Sequence, residues 1–117
     1  MSTGHVATVH RYHDIWAEPD GAVRLATLAD IWSEDGLYVD PDLPQGVRGR
    51  EALSDMIGTA LLDLPGLSIV ALTDLAVLGD RAWYRWQETK DAGPTIDGVD
   101  FIEFAPDGKI ARLTGFW

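Results

Sequence analysis

One aspartate, Asp100, occupies a position where its carboxyl group could take part in proton transfer. It precedes Ile102 by two residues and Phe104 by four, so in a β-strand the three side chains would share one face. If that face is buried, desolvation raises the pKa of the carboxyl group, which could then donate a hydrogen bond near neutral pH. The opposite parity would bury Val99 and Phe101 and leave Asp100 in solvent, and the alternation does not decide between the two.

A second aspartate, Asp40, follows Tyr38 and directly precedes Pro41. Proline cannot donate to a sheet and keeps the residue before it extended, so Asp40 is predicted to end a strand. A carboxyl group at such a junction is held by the strand and can reach a ligand, as functional loop residues often do. An ordinary turn aspartate that accepts hydrogen bonds from the following loop would have the same sequence pattern.

The segment from Trp83 to Glu88 has large side chains at both strand parities. One parity contains Trp83, Arg85 and Gln87, and the other contains Tyr84, Trp86 and Glu88. Such a strand is expected where one face lines a cavity and the other packs against a second subunit. The alternative is a surface strand whose aromatic rings pair with neighbouring strands and whose Arg85 meets a carboxylate.

Other common catalytic chemistries lack the residues that they need. The sequence contains no cysteine, which excludes disulfides, thiolate metal sites and cysteine nucleophiles. His10 and His13 have helical spacing but no third convergent ligand, so we predict no metal site and place His13 at the edge of the core. The glycines fit no nucleotide-binding spacing and no Gly-x-Ser-x-Gly motif occurs, so we expect no cofactor.

Length and charge limit the class of protein. A chain of 117 residues is predicted to form a single domain, 1–117. Its net charge of −10 repels phosphate backbones and anionic lipid surfaces, so we predict no nucleic-acid partner and no membrane partner. The N-terminus lacks an apolar run flanked by basic residues, and no segment is apolar for long enough to span a bilayer, so a cytoplasmic location is expected.

The elements that must position these residues begin with helices, which are marked by apolar stripes at helical spacing. Asp20 is a candidate N-cap for helix two, and this helix is expected to end near Ser33. The stripes consist of Val6, Val9, Tyr12 and Trp16 in helix one, Leu25, Leu28, Ala29 and Trp32 in helix two, and Leu53, Met56, Ile57, Ala60, Leu61 and Leu64 in helix three.

The sheet is predicted from runs with a period of two. A short strand is expected at 37–40, followed by a loop at 41–49, and longer strands at 67–78, 82–90, 97–105 and 109–117. Turn sequences such as Gly79-Asp80 and Pro106-Asp107-Gly108 separate the later runs. This order favours an α+β fold in which helices cover one face of an antiparallel sheet, over a ferredoxin-like sandwich whose strands alternate with helices.

From about Tyr12 to Trp117 the chain resembles the SnoaL-like and ketosteroid isomerase-like branch of the nuclear transport factor 2-like superfamily. The similarity rests on short motifs in a matching order. They are Ile31-Trp32-Ser33-Glu34-Asp35-Gly36, Leu37-Tyr38-Val39-Asp40-Pro41, Val47-Arg48-Gly49-Arg50-Glu51-Ala52-Leu53, Gly98-Val99-Asp100-Phe101-Ile102-Glu103-Phe104, Asp107-Gly108-Lys109-Ile110 and Gly115-Phe116-Trp117. The resemblance implies a cone-shaped, strongly curved antiparallel sheet, covered by three N-terminal helices, that encloses a pocket.

The resemblance also implies a homodimer through the outer face of the sheet. We expect Tyr84, Trp86, Phe101 and Phe116 on that face, where they would otherwise expose a large apolar patch.

By similarity to ketosteroid isomerases, Asp40 falls at the position of the proton-shuttling carboxylate. Asp100 falls at the position of a protonated aspartate that donates to the developing oxyanion. Trp16 stands where those enzymes have a tyrosine, and Tyr12 supplies a phenol one turn earlier in the helix.

Limonene epoxide hydrolases, a sister family, imply a related arrangement. Similarity places Tyr38, Asp40, Arg85 and Asp100 at positions comparable to residues of their site. Gln87 stands where those enzymes have the aspartate that activates water, so their standard mechanism would lack its base.

We therefore expect a cofactor-independent acid–base enzyme of isomerase, cyclase or hydrolase type, acting on a small apolar or polyketide-like or steroid-like molecule. The alternatives are a non-catalytic carrier or sensor of an apolar ligand, favoured if the two aspartates do not share a cavity, and a dimerisation module, favoured by a cavity too small for a ligand. The predicted catalytic residues are Asp40, Asp100, Tyr12 and Arg85. The predicted ligand-binding residues are Trp16, Trp32, Tyr38, Met56, Ile57, Trp83, Gln87, Ile102, Leu113 and Trp117.

Overall fold

The chain folds into three helices and one seven-stranded sheet, in a computed structural model that describes residues 2–117. The helices are α1 (Ser2–Ile15), α2 (Gly21–Ile31) and α3 (Arg50–Asp63). The strands are β1 (Trp32–Asp40), β2 (Leu43–Arg48), β3 (Ser68–Ala71), β4 (Ala76–Leu78), β5 (Arg81–Thr89), β6 (Ile96–Phe104) and β7 (Ile110–Phe116). No helix within the described range is both long and apolar enough to cross a membrane. The predicted α+β class is confirmed.

The sheet is open, with the strand order β2-β1-β7-β6-β5-β3 and with β4 paired to β5. Its pairs are antiparallel, as predicted, except that β1 and β7 run parallel. The long connection between these two strands, which includes α3 and five strands, lets the chain return in the same direction. Register shifts in β1 and between Glu103 and Phe104 are irregularities of the kind that bend strands and curve a sheet.

Helix α2 begins and ends where local chemistry requires it. The Asp20 side chain accepts a hydrogen bond from the Ala22 N–H at 2.9 Å, which confirms the predicted N-cap. The helix ends at Ile31, two residues before the predicted end, because Trp32 is already extended and begins β1. The predicted loop at 41–49 contains β2, and the predicted strand at 67–78 is divided into β3 and β4.

The buried face of α2 differs from the predicted one. Arg24, Leu28 and Ile31 are buried, whereas Leu25 and Ala29 are exposed. The reason is that Arg24 has buried partners: its Nε donates to Ser54 Oγ at 3.2 Å and its Nη1 donates to a backbone carbonyl at 2.8 Å. An arginine whose hydrogen bonds are satisfied can pack in the helix interface, and hydropathy alone does not anticipate this.

The parity of β5 also differs from the prediction. Tyr84 and Trp86 are only 1% and 5% exposed and face the interior, while Trp83 is 47% exposed on the outer face. The expected outer patch therefore keeps Phe101 and Phe116 but loses the two residues of β5 that were assigned to it. A homodimer through this face remains a prediction.

Candidate active site

A cavity of about 470 Å³ lies between the inner face of the sheet and the helices. This volume is within the range of sites that bind small molecules. Aromatic rings form much of its wall, and the Trp86 and Trp117 rings meet edge to face with centroids 5.7 Å apart. The cavity is lined by Tyr12, His13, Trp16, Tyr38, Asp40, Asp42, Leu43, Met56, Thr59, Ala60, Asp63, Leu64, Ile69, Trp86, Glu88, Asp100 and Trp117.

Asp40 is the last residue of β1 and is 7% exposed. The Tyr38 hydroxyl donates to its Oδ2 at 2.7 Å, and the backbone N–H groups of Asp42 and Leu43 donate to its Oδ1 at 2.8 and 2.9 Å. Asp40 thus has both features that its sequence position allowed, a turn aspartate and a carboxyl group beside the cavity. Three donors stabilise its negative charge.

Asp100, in β6, is also 7% exposed but has a different environment. Its Oδ2 accepts a hydrogen bond from the Tyr84 hydroxyl at 2.6 Å, and its Oδ1 accepts one from the Trp86 indole N–H at 2.9 Å. Burial raises the pKa of this carboxyl group to about 6, against the lowering effect of the two hydrogen bonds, and the charge of Asp40 raises it further. Asp100 can therefore exchange a proton near neutral pH.

Two glycines make room for this arrangement. A Cβ atom at Gly115 of β7 would lie 3.3 Å from Asp100 Oδ1 and 3.7 Å from Asp40 Cβ, so the two carboxyl groups flank the space above this residue. Strand β7 pairs with both β1 and β6, which brings the two aspartates together. On β6, Gly98 pairs with Trp86, and the indole lies where a side chain would otherwise be.

A histidine extends the hydrogen bonding behind Asp100. His13 Nε2 lies 2.7 Å from the Tyr84 hydroxyl. Burial, followed by the nearby His10, lowers the pKa of His13 to about 4, although Asp14 opposes the shift. His13 is therefore neutral near pH 7. It was predicted at the edge of the core, but its link to Asp100 was not predicted.

Two further phenols face the cavity. Burial raises the pKa of Tyr12 and of Tyr38, and the charges of Asp40 and Asp100 act in the same direction. Both hydroxyl groups therefore stay protonated at neutral pH: Tyr38 donates its proton to Asp40, and Tyr12 can donate to a ligand. Trp32 stacks on Tyr12, with ring centroids 5.9 Å apart and planes at 18°, and so holds this phenol in place.

A sequence model of the SnoaL-like domain matches residues 9–113, which is most of the chain. The chain belongs to the SnoaL-like family. The resemblance inferred from the motifs is thereby confirmed. None of the curated proteins compared with this SnoaL-like protein matches it.

Solved structures share the fold of this SnoaL-like protein. A proposed isomerase of the SnoaL-like family from Agrobacterium tumefaciens is 25% identical, with 97% of each chain covered and a TM-score of 0.86. A proposed ketosteroid isomerase from Kribbella flavida is 23% identical, covers 98% of this chain and 78% of its own, and has a TM-score of 0.74. A proposed polyketide cyclase from Sinorhizobium meliloti is 22% identical, with 93% of each chain covered and a TM-score of 0.71.

The cavity of the SnoaL-like protein brings together part of the predicted site. Its lining includes Asp40, Asp100, Tyr12, Trp16, Tyr38, Met56 and Trp117. Sequence reasoning missed Trp86, which lies two residues from Tyr84 on the same strand. Strand pairing places Tyr84 opposite Asp100, and Trp86 lies two residues away on the same face of β5. Knowledge of this register would have identified both hydrogen-bond donors to the Asp100 carboxyl group.

Other predicted site residues lie away from the cavity of the SnoaL-like protein. Arg85 and Trp83 are exposed on the outer face, because strand alternation turns them away from Tyr84 and Trp86. Gln87 donates to Asp97 Oδ1 at 3.0 Å in an exposed contact. Trp32, Ile57, Ile102 and Leu113 are fully buried in the core. Among residues 2–117 there is no group of three or more His, Asp or Glu side chains that could hold a metal ion.

The opposite pKa shifts of Asp100 and His13 predict compensating effects on the stability of the SnoaL-like protein. The pKa of Asp100 is raised from 3.8 to about 6, so its contribution to stability is present at low pH and is lost as pH rises through about 6. The pKa of His13 is lowered from 6.5 to about 4, so its contribution is present at higher pH and is lost as pH falls through about 4.

Replacing either residue should reveal the pH dependence of stability that the other residue contributes. Relative to wild type, the free energy of unfolding of Asp100→Asn should rise by roughly 2 to 3 kcal/mol between about pH 4 and pH 6, and that of His13→Gln should fall by a similar amount. Denaturant unfolding at several pH values measures both slopes. The exposed Asp97→Asn on the same strand as Asp100 is the matched control, and an Asp100→Asn profile parallel to wild type would contradict the prediction.

Proposed function

We propose that this SnoaL-like protein is a cofactor-independent acid–base enzyme, of isomerase or cyclase type, acting on a small and largely apolar molecule. The observation that carries the proposal is that two buried carboxyl groups line one cavity with different hydrogen-bond partners. Asp40 accepts hydrogen bonds from three donors, which favour the charged form of a carboxyl group, whereas burial makes Asp100 hold a proton more readily. Pairs of carboxyl groups whose environments differ in this way divide the roles of base and acid.

In this mechanism Asp40 removes a proton from a carbon next to a carbonyl group of the substrate. The electrons of the broken C–H bond move to the carbonyl oxygen, which becomes negative. The Tyr12 hydroxyl and the protonated form of Asp100 donate hydrogen bonds to this oxygen and stabilise the charge. Asp40 then returns its proton at another carbon, or the carbanion closes a ring.

The lining of the cavity limits the charge of the ligand. Asp42 and Asp63 add carboxyl groups near its rim, while the charge of Glu88 is balanced by Lys90 at 2.7 Å. Within the described residues, the lining contains no lysine or arginine. This charge pattern disfavours anionic ligands, and together with the aromatic wall it favours neutral or cationic apolar ones.

One observation favours the non-catalytic carrier. Both oxygens of Asp40 and both oxygens of Asp100 already accept hydrogen bonds from the protein, and a carboxylate with several donors is a weaker base. The dimerisation module is disfavoured, because a cavity of about 470 Å³ is large enough to admit a ligand.

A screen of small enones, lactones and epoxides tests the proposal. We expect turnover of at least one neutral member, and we expect Asp100→Ala to weaken its binding and to lower its turnover by about 100-fold, as loss of an acid–base group does. Asp97→Asn, with its exposed carboxyl group on the same strand, should retain both. Binding of these compounds without turnover by the wild-type protein would identify a carrier instead.

A further inference from the structure

We propose that His13 and Tyr84 form a proton relay that loads and unloads Asp100. The inference rests on the proposed function, which requires the protonated form of Asp100. It adds to that function a route for the proton through the side chains of the protein.

The geometry of the three side chains forms a continuous hydrogen-bonded line. Asp100 Oδ2 lies 2.6 Å from the Tyr84 hydroxyl, and that hydroxyl lies 2.7 Å from His13 Nε2. Asp100 Oδ1 accepts from the Trp86 indole, which can only donate, so the exchangeable proton of Asp100 belongs on Oδ2. Both contacts are short enough for proton transfer along the line.

The Tyr84 hydroxyl has one proton, so the line has two consistent arrangements. When Asp100 is ionised, Tyr84 donates to Oδ2 and His13 donates from Nε2 to the Tyr84 oxygen. When Asp100 is protonated and the cavity is empty, it donates to the Tyr84 oxygen, Tyr84 donates to Nε2, and the proton of His13 is on Nδ1. A ligand oxyanion in the cavity takes over the hydrogen bond from Asp100, and Tyr84 keeps its bond to Nε2. The protonation of Asp100 and the tautomer of His13 are therefore coupled.

The transfer balances without any further reagent. A hydronium ion gives its proton to His13 Nδ1 and becomes water, the proton on Nε2 moves to the Tyr84 oxygen, and the original hydroxyl proton of Tyr84 moves to Asp100 Oδ2. The net result is one proton lost by hydronium and one proton gained by Asp100, with Tyr84 unchanged and His13 in its other neutral tautomer. The reverse sequence releases the proton and restores the first tautomer.

The surroundings of each group are compatible with the relay. Burial and then the charge of Asp100 raise the pKa of Tyr84, so the hydroxyl passes protons on without persisting as a phenolate. Because its pKa is lowered to about 4, His13 is neutral over the range in which Asp100 titrates and is free to change tautomer. The titratable groups facing Asp100 are Asp40, Tyr12, Tyr38 and Tyr84, and those facing His13 are His10, Asp14 and Tyr84.

The test is a pH titration of the ligand-free protein labelled with ¹⁵N and ¹³C. Between about pH 5 and pH 8, long-range ¹H–¹⁵N spectra report the His13 tautomer and carboxyl ¹³C spectra report the ionisation of Asp100. We expect the His13 proton to move from Nε2 to Nδ1 as Asp100 becomes protonated, with one common midpoint. A His13 tautomer that stays the same while Asp100 titrates, or an Asp100 that does not titrate in this range, overturns the relay.

Two variants separate the relay from simple packing. Tyr84→Phe keeps the ring but removes the hydroxyl, so the His13 tautomer should no longer follow the state of Asp100. Trp86→Phe removes the other hydrogen bond to Asp100 and should keep the coupling, at a higher midpoint. Coupling that survives Tyr84→Phe would also overturn the proposal.

Because these measurements need no substrate, their outcome is independent of whether the screened compounds are turned over. Coupled titration without turnover would leave the relay standing and the enzyme proposal wrong. Turnover together with a His13 tautomer that does not follow the ionisation of Asp100 would support the enzyme proposal and overturn the relay.

Discussion

Asp40→Asn is expected to lower turnover of a true substrate by about 100-fold to 10,000-fold while leaving its binding nearly unchanged, because loss of a general base has this effect. The fold should tolerate the change. The asparagine oxygen can still accept from the N–H groups of Asp42 and Leu43, and its amide can donate to the Tyr38 hydroxyl in place of the present bond. Steady-state kinetics and ligand titration measure the two effects separately.

The matched control for this variant is Asp35→Asn, which removes the same charge from an exposed position of β1. It should retain turnover. Asp40→Asn should also lower the pKa of Asp100, since the charge of Asp40 contributes to its rise. Normal turnover by Asp40→Asn together with a lowered Asp100 pKa would show that the two groups are neighbours and that Asp40 is not the base.

Gly98→Ala is expected to lower the free energy of unfolding by about 1 to 3 kcal/mol, the usual cost of overpacking. A Cβ atom at this position would lie 2.6 Å from two atoms of the Trp86 indole, so the ring must shift. The shift should break the indole hydrogen bond to Asp100 and raise the pKa of that carboxyl group above about 6. Denaturant unfolding and carboxyl NMR measure these two consequences.

A second substitution provides the control for this effect. In a Trp86→Leu background the smaller side chain leaves room for the methyl group, so Gly98→Ala should cost much less and should no longer alter the pKa of Asp100. Contacting residues are expected to show such non-additivity. If Gly98→Ala lowers the free energy of unfolding equally in both backgrounds, the position of the Trp86 indole does not depend on the glycine.

The sequence was most informative where a single periodicity decided the structure. The stripe of α1 is confirmed at Val9 and Tyr12, which are 6% and 2% exposed, whereas Val6 and Trp16 are half-buried and Trp16 lies just past the end of the helix. The extended residue before Pro41 does end a strand. In these cases hydropathy and backbone restriction act within one element, so neighbours in the fold need not be known.

The parity of β5 could not be decided in the same way. A face that lines a cavity carries polar and aromatic side chains, so Tyr84 and Trp86 did not differ in character from Trp83 and Arg85. The deciding feature is on another strand, because the glycine at position 98 accepts the Trp86 ring. Side-chain volumes must be matched across strands, and the pairing register is not contained in the pattern of one strand.

The parallel pairing of β1 with β7 was missed for a related reason. Alternation predicts that a segment is extended but not which segment lies beside it or in which direction. The pairing joins Tyr38 to Leu113, far apart in the chain. It matters for the site, because it places Asp40 beside the strand that separates it from Asp100.

The two carboxyl groups stand on the sheet, whereas Met56, Thr59, Ala60 and Leu64 of the cavity wall lie in α3 or directly after it. Paired strands keep a nearly constant spacing of about 4.8 Å, so the sheet fixes the two carboxyl groups in place. Partly exposed helix positions tolerate substitution at little cost in stability. Under the proposed function, changes in α3 are therefore expected to alter which molecules the cavity admits, and a directed-evolution library confined to that helix should shift the range of ligands without displacing Asp40 or Asp100.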